Sequence, residues 1–316
     1  MPLTTYKVGQ LSVSSPCLGG NVFGWGADEP TSFTVLDAYT AAGGNFIDTA
    51  DAYSAWVEGN QGGESETVIG NWHAARGNRD DIVIATKAGA QSNPVHKGLA
   101  PATIRAALDD SLRRLRTDYV DLFYTHFDDE SVPVADIVGT LDELVRAGKV
   151  REIAASNISP ERLKASLAAS EQDGLARYVA LQSHYNLVER DQYEGALAQV
   201  AADAGLAVFP YYALASGFLT GKYRPDDAIP QGPRTAKASA YLETERGRRV
   251  LRALTDVADA HGASPATVSL AWLAAQPTVT APIVSARVPD QLPALLALAD
   301  LELTEAELAA LTNASA

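Results

Sequence analysis

With 316 residues, 47% of them apolar and 20% charged, the chain has the makeup of an ordinary globular protein long enough to bury a large core. A formal charge of −14 argues against a nucleic-acid partner, which normally meets a basic footprint. The one cysteine, Cys17, excludes an internal disulfide and fits a reducing, cytoplasmic compartment. No stretch reaches the roughly 18 consecutive apolar residues of a membrane span, and the N-terminus lacks the basic-then-apolar pattern of a signal peptide.

Tyr6–Val13 reads as a small hairpin turning near Gly9, placed to close the bottom of a barrel. Pro16–Gly20 reads as the first barrel strand, and Phe23 and Trp25 sit on the Gly-rich loop after it. A first helix is predicted over Thr31–Ala42, ended by Gly43-Gly44. The short apolar run Phe46-Ile47 then stops at Asp48, and Tyr53 follows on a loop. Gly63-Glu64-Ser65-Glu66 opens the second helix, with acidic residues suited to the positive end of its dipole.

Strand follows helix in the same way downstream. Ile82–Thr86 leads to Lys87, and a helix runs from Pro101 to Arg116 with Ile104, Leu108, Leu112 and Leu115 on one face. Val120–Tyr124 leads to Thr125-His126, a helix spans Val134–Ala147, and Val150–Ala155 leads to Ser156-Asn157. Ser159-Pro160 is a favoured helix start. Tyr178–Gln182, a helix over Arg190–Ala204, and strand Leu206–Phe209 come next.

From Tyr211 to about Ala240 the periodicity fails. A loop of that length in a compact domain is disordered or functional. Helices over Leu242–His261 and Ser264–Gln276, a strand near Val279–Val284, a helix over Pro289–Ala299 and a short helix with a Thr304…Glu307 capping box complete the chain.

Eight predicted strands alternating with helices imply parallel pairing and right-handed crossovers. Each strand delivers a polar group at its C-terminal end, which is how a parallel barrel builds an active site. An open doubly wound sheet is the competing architecture, but no Gly-x-Gly-x-x-Gly follows a strand. No linker or internal repeat divides the chain. It is read as one α/β domain over residues 1–316, a (β/α)8 TIM barrel with an N-terminal β-hairpin and a long loop after strand 7.

Several blocks, in this order and each at a predicted strand end, carry a resemblance: Asp48-Thr49-Ala50-Asp51-Ala52-Tyr53, Ala85-Thr86-Lys87, His126, Ala155-Ser156-Asn157, Gln182-Ser183-His184-Tyr185-Asn186, Pro210-Tyr211, Gly217–Tyr223 and Pro282–Arg287. Over nearly its whole length the chain resembles the aldo-keto reductase superfamily. The resemblance implies NADPH-dependent, reversible reduction of aldehydes or ketones, with a small carbonyl or alcohol as partner and neither metal nor flavin.

By the same resemblance Asp48, Tyr53, Lys87 and His126 form the catalytic tetrad. The chemistry is coherent. A free phenol, with a pKa of about 10, is a poor acid at neutral pH, and a nearby ammonium such as Lys87 is expected to lower it. Asp48 holds the lysine, and His126 orients the carbonyl. Taken singly, each residue has a bland alternative: a packing tyrosine, a solvated lysine, a satisfied histidine.

The resemblance further assigns Ser156, Asn157 and Gln182 to the nicotinamide carboxamide and Tyr211 to stacking on its ring. Leu214, Ser216, Gly217 and Lys222 lie in the loop that folds over the pyrophosphate. Gly217–Lys222 is not a phosphate-binding P-loop, because the spacing between its glycines is wrong. Ser285 and Arg287 fall where barrels often bind phosphate, and a guanidinium suits the 2′-phosphate of NADP. Gln291 matches an adenosine contact, but Leu295 stands where many members carry Asn. Phe23, Trp25, Trp56 and Tyr212 are candidates for the substrate pocket, with Thr125, Phe127 and parts of the Thr220–Tyr241 loop as further wall. The histidines have no metal-ligand spacing. Two alternatives stand beside the reductase: an NADP(H)-binding regulatory or scaffold protein like the channel-associated β subunits, and a sugar-phosphate barrel enzyme forming a Schiff base through a strand-end lysine such as Lys87.

Overall fold

Two strands come first and pair only with each other. β1 (Thr4–Val8) and β2 (Leu11–Ser15) form an antiparallel hairpin whose turn places Gly9 at φ 56°, a conformation that glycine adopts without strain. After them the chain alternates: β3 (Cys17–Gly19), α1 (Glu29–Ala41), β4 (Phe46–Asp48), α2 (Glu64–Arg76), β5 (Val83–Ala88), α3 (Pro101–Leu115), β6 (Val120–Thr125), α4 (Val134–Arg146), β7 (Val150–Ser156), α5 (Pro160–Asp173), β8 (Tyr178–His184), α6 (Ala196–Asp203) and β9 (Ala207–Tyr211). Then α7 (Thr235–Glu243), α8 (Glu245–His261), α9 (Pro265–Ala274), β10 (Ile283–Val284), α10 (Leu292–Leu296) and α11 (Glu305–Ala314) follow. The computed structural model describes residues 3–90, 92–93, 95–223 and 235–316.

The eight-stranded sheet runs β10-β3-β4-β5-β6-β7-β8-β9, each neighbouring pair parallel. Its two outer strands meet through the residues just before β10. Val208 N donates to Thr278 O at 3.1 Å and Thr280 N to Val208 O at 2.9 Å. The sheet therefore closes on itself as a (β/α)8 barrel.

Successive side chains of a strand point to opposite faces, and this alternation sorts the core into two. Phe46, Ala85, Leu122, Tyr124, Ala154, Ala180 and Phe209 point into the barrel and pack with Val8, Leu11 and Val13 of the hairpin. The hairpin thus plugs the bottom of the barrel. Ile47, Ile84, Phe123, Ala155 and Leu181 point outward to the helices. Two residues beyond each inward apolar residue comes the next inward position: Asp48 after Phe46, Lys87 after Ala85, His126 after Tyr124, Ser156 after Ala154, Gln182 after Ala180, Tyr211 after Phe209. An apolar floor under a polar upper layer is what the strand pattern alone dictates.

Several element boundaries differ from the sequence reading. The helix expected over Arg190–Ala204 starts only at Ala196, because Gly195 adopts φ 93° and ψ −128°, outside helical space. The helix expected over Leu242–His261 begins at Glu245. Thr244 is extended and its hydroxyl caps Gly247 N, so α7 and α8 are separate. The last barrel strand is shorter than Val279–Val284, and the closing helix is split into a 3-10 turn, the short α10 and a second 3-10 turn. The long loop is not structureless throughout. It holds a 3-10 turn over Ala215–Thr220, and α7 takes up its end; residues 224–234 lie outside the described residues.

Candidate active site

Asp48, the last residue of β4, is nearly fully buried and points to the barrel mouth. Lys87 on neighbouring β5 is completely buried. Its ammonium has three acceptors: Asp48 Oδ2 at 2.6 Å, Thr49 O at 2.8 Å and the Tyr53 hydroxyl at 3.0 Å. All three ammonium protons are thereby placed. Tyr53 in turn donates its hydroxyl to Asp48 Oδ2 at 3.2 Å, and Gln182 Nε2 donates to Asp48 Oδ1 at 2.9 Å. A buried ion pair persists only when its remaining lone pairs and protons are met in this way.

Tyr53 reaches the mouth from a tight loop. Gly63 N bonds to Tyr53 O, and Ser54, at φ 71°, donates its hydroxyl to Phe23 O at 2.9 Å. Phe23 was expected to line the pocket. Its ring instead lies fully buried in the outer core, because the Gly-rich loop folds back on α2, and its carbonyl pins the Tyr53 loop. Trp25 and Trp56 do stand beside the site, their rings 5.7 Å apart edge to face, with Trp56 6.2 Å from Tyr53. Trp56 is 54% exposed and Phe127 41%.

His126 follows β6. Its ring lies 6.1 Å from that of Tyr53 and stacks on Phe127 at 5.0 Å. Nδ1 is buried and without a hydrogen-bond partner among the described residues. Burial, helped by the Lys87 ammonium, holds its pKa well below the usual imidazole range, so the ring is neutral at neutral pH. Burial also pulls Lys87 down, opposed by Asp48.

Tyr53 departs from the expectation that the lysine would acidify it. Burial first, then the Asp48 carboxylate, pushes the phenol well above its ordinary value. The anion that anchors the lysine also accepts the phenolic hydrogen. The resting phenol is thus firmly protonated.

The residues assigned to the nicotinamide adjoin this cluster. Asn157, at φ 47°, donates Nδ2 to His126 O at 2.8 Å and to Ser156 Oγ at 3.0 Å. Its Oδ1 accepts the Tyr211 hydroxyl at 2.7 Å. Tyr211 and Tyr212 lie 5.3 Å apart, and His184, which sequence reading passed over, stacks on Tyr211. The clue was its place: it is the next inward position after Gln182.

A second group surrounds the loop after β10. Ser285 Oγ donates to Asn21 Oδ1 at 2.7 Å, and Gln291 Oε1 accepts Arg287 N at 2.8 Å. Arg287 is exposed and forms no ion pair among the described residues. Leu295 is buried and packs in the core. After Leu214, Ser216 and Gly217 take φ 59° and 96°, and a Cβ built on Gly217 would stand 3.2 Å from Lys222 Nζ. The loop therefore curls so that the ammonium lies over the glycine. A guanidinium without a counter-ion and an ammonium above a bare backbone suit phosphate groups. The amide and hydroxyl layer around Asn157 suits a carboxamide. Together the residues fit a dinucleotide.

No helix among the described residues is long and apolar enough to cross a membrane, and no cluster of three metal-ligating groups occurs among them.

Residues 17–316 match the family model described as Aldo/keto reductase family. The chain is similar to Protein tas of Escherichia coli, with 34% identity covering 95% of this chain and 93% of that protein. It is 31% identical to Norsolorinic acid reductase B of Aspergillus parasiticus, over 96% of this chain and 81% of that one. It is 32% identical to the NADP(+) aryl-alcohol dehydrogenase of Phanerodontia chrysosporium, over 88% of this chain and 74% of that one.

Proposed function

The chain belongs to the aldo/keto reductase family of oxidoreductases acting on small carbonyl compounds, and from that premise we propose that it reduces aldehydes or ketones to alcohols with NADPH, reversibly, Tyr53 supplying the proton. One observation carries the reading: the Tyr53 hydroxyl sits between Lys87 Nζ and Asp48 Oδ2 at the barrel mouth, with His126 beside it.

When bound, the reduced nicotinamide supplies the hydride that goes to the carbonyl carbon. His126, neutral, donates a hydrogen bond to the carbonyl oxygen and fixes its direction. The C=O π pair moves onto that oxygen as the hydride adds. The Tyr53 O–H turns from Asp48 to the same oxygen and gives up its proton. The phenolate left behind faces the Lys87 ammonium at 3.0 Å, which stabilises the charge. A solvent proton then restores the phenol. In the alcohol-to-carbonyl direction Tyr53 is the base, and the same ammonium favours its anion.

Ser156, Asn157 and Gln182 would orient the carboxamide, and Tyr211 would stack on the ring. Leu214, Ser216, Gly217 and Lys222 would line the pyrophosphate, with Ser285, Arg287 and Gln291 at the 2′-phosphate and adenosine. The NADP(+) in the name of the Phanerodontia relative supports the choice of nucleotide. Trp25, Trp56, Tyr212 and Phe127 give the mouth aromatic walls. The cytoplasm is the setting this reading expects.

A Schiff base through Lys87 finds no support in the geometry: the amine is fully buried and all its protons are engaged. The test is turnover of an aldehyde panel with NADPH. Cofactor binding without turnover would favour the regulatory reading instead.

A further inference from the structure

We infer that His184 is a positioning residue that holds the ring of Tyr211 in place as the stacking platform for the nicotinamide. The inference rests on the reading of Tyr211 given above.

Tyr211 ends β9 and His184 ends β8, and the two are register partners on parallel strands, so their side chains leave the sheet on the same side. The rings are 5.3 Å apart and tilted by only 17°, a near-parallel stack. The Tyr211 hydroxyl is held separately by Asn157. One bond at the far tip leaves a phenol free to rotate about its long axis. Contact along the ring face removes that freedom, and among the described residues His184 alone stacks on Tyr211 face to face.

His184 is itself held. Tyr212, at φ 53°, presents its ring edge to the imidazole at 5.3 Å and 67°, and Asn186 Nδ2 fixes the Tyr212 carbonyl at 3.0 Å. Glu189 and Lys237 are the charges that act on the imidazole, and the Glu189 carboxylate is engaged by the Tyr241 hydroxyl at 3.0 Å. Burial lowers the pKa of His184, which keeps the ring neutral and suited to stacking.

The test measures dissociation constants of NADPH and of 2′-phospho-ADP-ribose, which keeps every phosphate and lacks the nicotinamide. His184→Ala is expected to weaken NADPH about three- to tenfold, the range of an aromatic pair, and to leave the fragment within twofold. His184→Phe, which keeps a stacking ring, restores NADPH binding. Equal weakening of both ligands, or no rescue by Phe, would overturn the role. Tyr211→Ala is the reference variant. If it leaves the ratio of the two constants unchanged, the stacking by Tyr211 is wrong and the inference falls with it. If Tyr211→Ala changes the ratio and His184→Ala does not, only the role of His184 is refuted.

Discussion

The ammonium of Lys87 stands 3.0 Å from the phenolic oxygen of Tyr53; Lys87 is completely buried, while Tyr53 is only partly so. The same ammonium stands 2.6 Å from Asp48, whose carboxylate also takes the Tyr53 hydrogen. Stability and chemistry are therefore coupled in one three-group cluster.

Removing one partner of a buried ion pair leaves an uncompensated charge. Lys87→Met should lower unfolding free energy by about 3–5 kcal/mol and suppress turnover. Adding Asp48→Asn to Lys87→Met should recover much of the stability and none of the activity. Urea denaturation of the single and double variants measures this. Additive losses would show that the pair is not coupled.

Arg287 should discriminate between nucleotides. Arg287→Ala is expected to raise the NADPH dissociation constant about 10- to 100-fold, the worth of a charge-assisted bond, and to leave NADH almost unchanged. Fluorescence titration with both cofactors decides. Equal weakening would remove the 2′-phosphate from this site.

His126 sets one slope of the pH–stability curve. Its folded pKa lies well below 6.5, while the unfolded chain takes up the proton near that value. Below a pH of about 6.5 the unfolded state binds more protons, so stability falls as pH falls. His73 and His184, both lowered by burial, act in the same direction. His126→Phe should flatten the slope between pH 6.5 and 5 by at most about 1.4 kcal/mol per pH unit. Thermal melting across that range checks it, and an unchanged slope would contradict a neutral imidazole.

Asp51 acts with the opposite sign. Its carboxylate is almost fully buried, and burial with the nearby Glu66 charge raises its pKa well above the ordinary value, against the opposing pull of Arg114. Between the unfolded value of about 3.9 and the higher folded one, the folded state binds more protons, so stability falls as pH rises. Asp51→Asn should remove that loss and raise the melting temperature at pH 8 more than at pH 4. A larger gain at pH 4 would refute the assignment.

The barrel was legible in strand periodicity, which also sends Asp48, Lys87 and His126 to one mouth; Tyr53 sits on a loop, and its place beside them was implied only by the resemblance. Polar residues two positions beyond an inward apolar one, as Lys87 beyond Ala85, must reach the mouth. What could not be read depends on the third dimension. Phe23 looks like any loop aromatic until the loop folds back. Nothing local marks His184 as the neighbour of Tyr211, since the two are joined only by strand register. The raised pKa of Tyr53 was hidden for a related reason: Lys87 was visible at a strand end, but neither the burial around the phenol nor its contact with Asp48 was. The break between α7 and α8 was hidden because both sides of Thr244 have helical composition.

The central claim is that Tyr53 supplies the proton. Single-turnover reduction of an aldehyde by NADPH, with cofactor affinity measured alongside, tests it most directly. Tyr53→Phe is expected to cut the rate by about 10²- to 10⁴-fold while NADPH binds as before. A Phe variant that reduces the aldehyde at near the parental rate would contradict the account.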